Sequence, residues 1–173
     1  WMARISRRAA ASGRSTKKIS SKRPLRSSSG GRCSIELAVA TLRVLERHGC
    51  KVVFPEEQTC CGQPMANAGA AGEARPLAER FLKVFGPAEY EYVVAPSGSC
   101  VSMVRHQYRD LLPGRAEVLS VGAKTFELCE FLHDVLRVRR IPVRYPHVVG
   151  LPRSCHAQRE LRLASGSERQ VPP

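Results

Sequence analysis

Apolar residues recur at helical spacing through Ile35, Ala38, Val39, Leu42 and Leu45, and Gly49 follows as a stop, so the pattern predicts a first helix ending there. Val52-Val53-Phe54 is a short apolar run closed by Pro55, the pattern of a buried strand. A second helix is predicted from Ala74, Leu77, Ala78, Phe81 and Phe85, stopped by Gly86, and Tyr92-Val93-Val94-Ala95 makes the next strand before Pro96. A third helix begins near Ser97 or Ser99, buries Val101, Val104, Tyr108 and Leu111, and ends at Pro113-Gly114; a fourth runs from about Thr125 to Leu136 and offers Leu128, Leu132 and Val135. Val143 to Val149 returns as a third strand. Strands alternating with helices predict an α/β fold, a short parallel sheet flanked by helices.

Charge separates the front of the chain from this periodic part. The net charge is +13 over 173 residues, yet ten of the 28 Lys and Arg fall in residues 1–32, which hold no acidic residue; the remainder carries 18 basic against 15 acidic groups. A basic run without periodicity reads as a disordered tail that attracts polyanions without sequence preference. No basic recognition helix or aromatic stacking module accompanies it, so specific nucleic-acid binding is not expected. The tail is rich in Arg and Ser like a transit peptide but lacks amphipathic periodicity. Residues 1–33 are accordingly read as a basic, disordered or foreign leader. No apolar run is long enough to span a bilayer, and seven cysteines without a secretory signal fit a reducing, cytoplasmic setting better than a disulfide framework.

The chemistry concentrates in Gln58-Thr59-Cys60-Cys61-Gly62-Gln63-Pro64. Adjacent cysteines bridge each other poorly, because a disulfide needs well-separated Cα atoms and convergent Cβ vectors. They suit a polynuclear metal centre if the backbone turns sharply, which Gly62 permits; the plainer reading is two small buried hydrophobes. Cys60 and Cys61 follow one predicted strand, and Cys100 opens the helix after the next. In a parallel sheet both connections emerge at the strands' carboxyl edge, where ligands bind. Unpaired N–H groups at the helix start would favour a Cys100 thiolate, Ser97-Gly98-Ser99 lets the backbone turn closely around an anion, and Ser97 alternatively serves as a helix cap. Cys50 and Cys129 read as packing. His48, His106 and His133 lie on solvated faces, Asp110 and Asp134 form no acid/base pair, and no phosphate-loop, dinucleotide or Ser-His-Asp signature is present.

The run Leu45-Glu46-Arg47-His48-Gly49-Cys50-Lys51-Val52-Val53-Phe54-Pro55-Glu56-Glu57-Gln58-Thr59-Cys60-Cys61-Gly62-Gln63-Pro64, followed by Ala95-Pro96-Ser97-Gly98-Ser99-Cys100-Val101, resembles the cysteine-rich CCG-domain family of iron–sulfur oxidoreductases. That family includes the B subunit of heterodisulfide reductase, the iron–sulfur subunit of glycolate oxidase and the iron–sulfur A subunit for L-lactate utilisation; the wording here is nearest the last. The resemblance covers about residues 36–163. It implies a Rossmann-like CCG domain over 34–140, and the start of a truncated second CCG half over 141–173. It also implies an iron–sulfur cluster, of 4Fe-4S type, on Cys60, Cys61 and Cys100. Cys155, in Arg153-Ser154-Cys155-His156, resembles the opening ligand of the second half, either idle here or recruited to the first cluster.

Three departures accompany the likeness. Ser27-Ser28-Ser29 stand where the family's first cysteine falls, Cys33 lying nearer the doublet; Met103 replaces the second cysteine of Cys-x-x-Cys; and no second CCG follows. The leader is expected to have replaced the family's first, central strand, leaving an unpaired sheet edge. By resemblance the chain is an electron-transferring subunit of a hydroxy-acid (L-lactate) oxidising complex, its partners the other subunits of a lactate or glycolate oxidation complex. Thiolates suit zinc equally, so a zinc-binding or thiol-redox module is the alternative, and a non-functional fragment the other.

Overall fold

A computed structural model of the chain describes residues 2–7, 32–87, 89–142, 144–148, 150 and 155–161. Four strands form one sheet: β1 (Ala3–Arg7), β2 (Cys50–Val53), β3 (Tyr92–Ala95) and β4 (Thr125–Glu127), in spatial order β2-β1-β3-β4. β1 runs antiparallel to both neighbours, with Ile5 opposite Val52 on one side and Tyr92 on the other. β4 is parallel to β3, Val94 facing Phe126. Because β2 and β3 are each antiparallel to β1, β2, β3 and β4 all point the same way, with one reversed strand inserted among them. The sheet is thus partly parallel.

β1 corrects the expectation of an absent central strand. Residues of the basic leader occupy the middle of the sheet, with Met2, Ala3 and Ile5 all buried. Alternation explains how a strand with two arginines can sit there. Ala3 and Ile5 face one core with Leu45, Cys50, Val94 and Phe131, while Met2 faces the other. The Arg4 guanidinium lies over the Tyr90 ring at 4.5 Å and the Phe85 ring at 5.8 Å, a cation–π placement that keeps its apolar stem on the sheet.

Helices cover both faces. α1 (Arg32–Arg47) packs beside β2 through Ala38, Thr41 and Leu45, and Gly49, at φ +79°, ends it. Val39, expected on the buried stripe, is exposed; Ile35 has no described side chain. On the opposite face α3 (Ala71–Phe85) buries Ala74, Ala78, Phe81, Leu82, Val84 and Phe85. After the short α2 (Gln63–Asn67) and α3, the third predicted helix appears as α4 (Gly98–Ser102), a π-helical stretch Met103–Gln107, and α5 (Tyr108–Leu111). Phe81 stacks on Phe85 at 4.4 Å and meets Tyr108 edge-on at 5.5 Å. Val93, Val94 and Ala95 are fully buried between the two layers, which is why β3 reads as a continuous apolar run.

The chain after Pro113 departs from its periodicity. α6 (Ala116–Ala123) is a helix the pattern did not predict, and Thr125–Glu127 leaves the predicted helix to pair with β3. The open edge of β3 takes three backbone residues that would otherwise have begun a helix, and helix resumes at once as α7 (Leu128–Glu130), continued by a π-helical stretch Phe131–Val135. The switch is enforced locally. Glu127 accepts from the N–H of Cys129 (2.7 Å) and Glu130 (3.2 Å), while the Glu130 carboxylate accepts from the Glu127 N–H (3.1 Å), a reciprocal cap. Arg105 reaches across from the third helix to hold Glu130 bidentately at 2.9 Å and the Thr125 carbonyl at 2.7 Å. Cys129, expected in the core, is exposed. The predicted strand at 143–149 does not form among its described residues; Tyr145 and Val148 there are exposed.

Candidate functional site

Strand direction assembles the site. β2 and β3 end at the same edge of the sheet, so the Cys60-Cys61 loop and the start of α4 at Cys100 emerge side by side, as expected of a parallel pair although β1 separates them. β1 begins at that same edge. The Gln58 side chain fastens it there, accepting from the Met2 N–H at 2.9 Å and donating to the Met2 carbonyl at 3.0 Å and the Pro55 carbonyl at 3.1 Å. Sequence reasoning includes Gln58 within the motif but assigns it nothing. Its amide can serve a strand N–H and C=O at once, and that signal becomes readable when the strand beside it is known.

Gly62 makes the turn after the doublet. Its φ of +85° is left-handed, and a Cβ there would lie 3.3 Å from the Ala74 carbonyl oxygen, so both conformation and space call for glycine. The two cysteines separate in environment. Cys61 is buried at 7% exposure in the core beneath α3, whereas Cys60 is exposed, its Sγ 3.5 Å from the Gly62 N–H. Tyr108, from α5, donates its hydroxyl to the Cys61 carbonyl at 3.0 Å. Burial and the nearby sulfurs push the Tyr108 pKa well above its usual value, so it is a neutral donor. Tyr108 is core, as expected, but its polar end also fixes the doublet.

Cys61 and Cys100 influence each other's protonation. The neighbouring Cys100, together with burial, drives the Cys61 thiol far upward, and the influence of Cys61 brings Cys100 down to about 6, helped by Ser97 and Ser99 against the opposing effect of burial. Ser97 makes no side-chain cap, contrary to one expectation; its hydroxyl meets that of Ser99 at 3.1 Å, and both serines lower the Cys100 pKa.

The remaining candidates divide. Cys155 is exposed, but it heads a π-helical segment, His156–Glu160, that packs on α4, and the following Leu161 is buried in the same core as Cys61. His156 lies 3.9 Å from Glu160. Cys33 falls in the first turn of α1, whose reversal into β2 puts that end of the helix toward the site's edge; its side chain lies outside the described residues. Cys50 is core on the opposite face, as expected. Among the described residues no three His, Cys, Asp or Glu side chains are grouped to hold one metal ion, and no helix is long and apolar enough to cross a membrane.

Residues 28–105, which carry the doublet, its turn and Cys100, match the CCG cysteine-rich domain family. Several curated relatives carry the name lactate utilization protein A. That of Exiguobacterium sp. (strain ATCC BAA-1283 / AT1b) is 43% identical over 127 residues, 72% of this chain and 52% of that protein. The Geobacillus kaustophilus (strain HTA426) protein is 42% identical over 130 residues, covering 73% and 53%, and that of Bacillus cereus (strain B4264) 38% over 125, covering 70% and 52%. The chain spans about half the length of these relatives. No solved structure matches it significantly.

Proposed function

We propose that this chain is an iron–sulfur-binding, electron-transferring subunit of a hydroxy-acid oxidising complex, with L-lactate the substrate of the assembly. The observation that supports the reading is that the loops bearing Cys60, Cys61 and Cys100 emerge at one sheet edge. The name of the relatives supports the lactate assignment. The donor set fits the group. Iron–sulfur clusters take cysteine thiolates and spread them over several irons, so thiols distributed along an edge suit them better than they suit a single ion. Cys60, Cys61 and Cys100 would hold the cluster, with Cys155 or Cys33 available as a further thiolate; a bound cluster supplies one-electron transfer.

What the chain's own residues contribute is placement and field. The Tyr108 bond and the Gly62 turn set the doublet, the Ser97 and Ser99 hydroxyls favour charge on sulfur at Cys100, and burial beneath α3 keeps water from Cys61. Hydrogen bonds to sulfur and burial are the levers that set a cluster's potential. None of these residues suits proton abstraction from a hydroxy acid, so that chemistry belongs to other subunits of the complex.

Anaerobic reconstitution tests the reading. The wild-type chain should take up iron and sulfide and absorb broadly in the visible; Cys60→Ser, Cys61→Ser and Cys100→Ser should each lose most of both, while Cys33→Ser and Cys155→Ser retain them. Uptake of zinc with no sulfide would replace the proposal with a zinc module.

A further inference from the structure

The amino edge of the parallel strands, opposite the doublet, gathers two cations that no carboxylate answers among the described residues. Tyr90 stands just before β3 and Lys124 just before β4, and because those strands are parallel both residues lie at that edge. Arg4, opposite Val93 in the central strand, sends its guanidinium to the same place, over the Tyr90 ring at 4.5 Å and the Phe85 ring at 5.8 Å. The Lys124 ammonium donates to the Gly86 carbonyl at 3.3 Å and the Pro87 carbonyl at 3.0 Å, which leaves one of its three donors. Arg4 has its Nε shut away from solvent without a hydrogen-bond partner. Neither cation makes an ion pair among the described residues, although Glu89 and Glu91 flank Tyr90. Burial and the charge of Arg4 lower the Lys124 pKa, so the two cations feel each other across the gap. A half-buried guanidinium without an acceptor is costly, and an anion placed between the two cations would relieve both.

We propose that Arg4, Lys124 and Tyr90 form a binding site for one carboxylate group, brought by a small carboxylic acid or by an acidic side chain of a partner protein. The Tyr90 ring covers a face of the guanidinium, so a ligand meets its edge; with Nε closed off, the two terminal nitrogens make the fork. A planar carboxylate accepts from such a fork with both oxygens at once. The spare Lys124 N–H adds a point charge beside it. The end of α3 sets how much charge the site takes. Its last carbonyls, Gly86 following directly, carry the negative end of the helix dipole, which opposes a multiply charged phosphate more than a monoanion. The inference stands apart from the cluster reading, because all three residues lie away from the edge that bears the cysteines.

The experiment titrates the full, isotope-labelled chain and follows arginine side-chain N–H and backbone amide signals by NMR. Sodium acetate, compared with sodium chloride at matched ionic strength, should move the Arg4 Nε–H signal and the Tyr90 and Lys124 amides saturably, and chloride should not. A short glutamate peptide probes the second source: it should saturate the same signals, at a lower carboxylate concentration than acetate if the natural ligand is a side chain and at a higher one if it is a free acid. Arg4→Lys keeps the charge but loses the fork, and should weaken acetate binding by about tenfold or more. Lys124→Gln should weaken it as well. Equal movement with chloride, shifts centred on the doublet loop, no saturating shift in wild type, or full affinity in Arg4→Lys would overturn the proposal. The wild-type map decides even if a variant fails to fold.

Discussion

Replacing Gly62 by alanine probes how tightly the fold holds the cysteine doublet. A left-handed φ of +85° costs a non-glycine residue about 1–2 kcal/mol. The new Cβ would also stand 3.3 Å from the Ala74 carbonyl oxygen and 3.5 Å from the Ala74 Cα. That neighbour is backbone within α3, fully buried, and cannot rotate aside; forced overpacking of this kind adds about 1 kcal/mol at the low end of its range. Alanine stiffens the unfolded chain and returns about 0.4–1 kcal/mol. The net loss is roughly 1–2 kcal/mol, or near 1 M in urea midpoint for an m-value of about 1–3 kcal/mol/M. Gly49→Ala supplies the control, having φ +79° but nothing within 4 Å of its added Cβ. Urea melts of the metal-free chain should rank wild type above Gly49→Ala above Gly62→Ala, and only Gly62→Ala should lower iron and sulfide uptake. A Gly62→Ala chain that matches Gly49→Ala in stability and wild type in uptake would refute the claim that contact with α3 positions the doublet.

Ile5→Ala truncates a fully buried side chain at the centre of the sheet and should lower stability by about 2–5 kcal/mol, measured by the same urea melt; a neutral result would remove β1 from the fold. Tyr108→Phe leaves the Cys61 carbonyl without its donor and should lose about 1–3 kcal/mol, with the packing of the ring kept. In the metal-free chain, alkylation at Cys100 should rise with pH through about 6, because the thiolate reacts and its pKa is depressed. Cys61→Ala removes the largest cause of that depression, so the rise should move upward toward the ordinary thiol range; an unmoved profile would show that the two sulfurs do not share a proton.

Sequence alone determined the elements whose pattern is self-contained. Tyr92-Val93-Val94-Ala95, a short apolar run closed by Pro96, was readable as a strand, and the α3 stripe of Ala74, Ala78, Phe81 and Phe85 as one helical face. Adjacent cysteines before a glycine pointed to a ligand-bearing turn without any knowledge of the sheet. What the tertiary structure decided were the pairings, which depend on which edges are open. Ala3–Arg7 has two arginines and too few apolar residues to declare itself; it becomes a strand because β2 and β3 both offer it backbone partners. Thr125–Glu127 had helical periodicity but lay beside the exposed edge of β3, and the ladder there outweighed it. The same reason separates Cys60 from Cys61. Identical neighbours in sequence, one is open to solvent and the other buried in the core, because only the direction of two strands and the approach of α3 to Gly62 determine which sulfur turns inward.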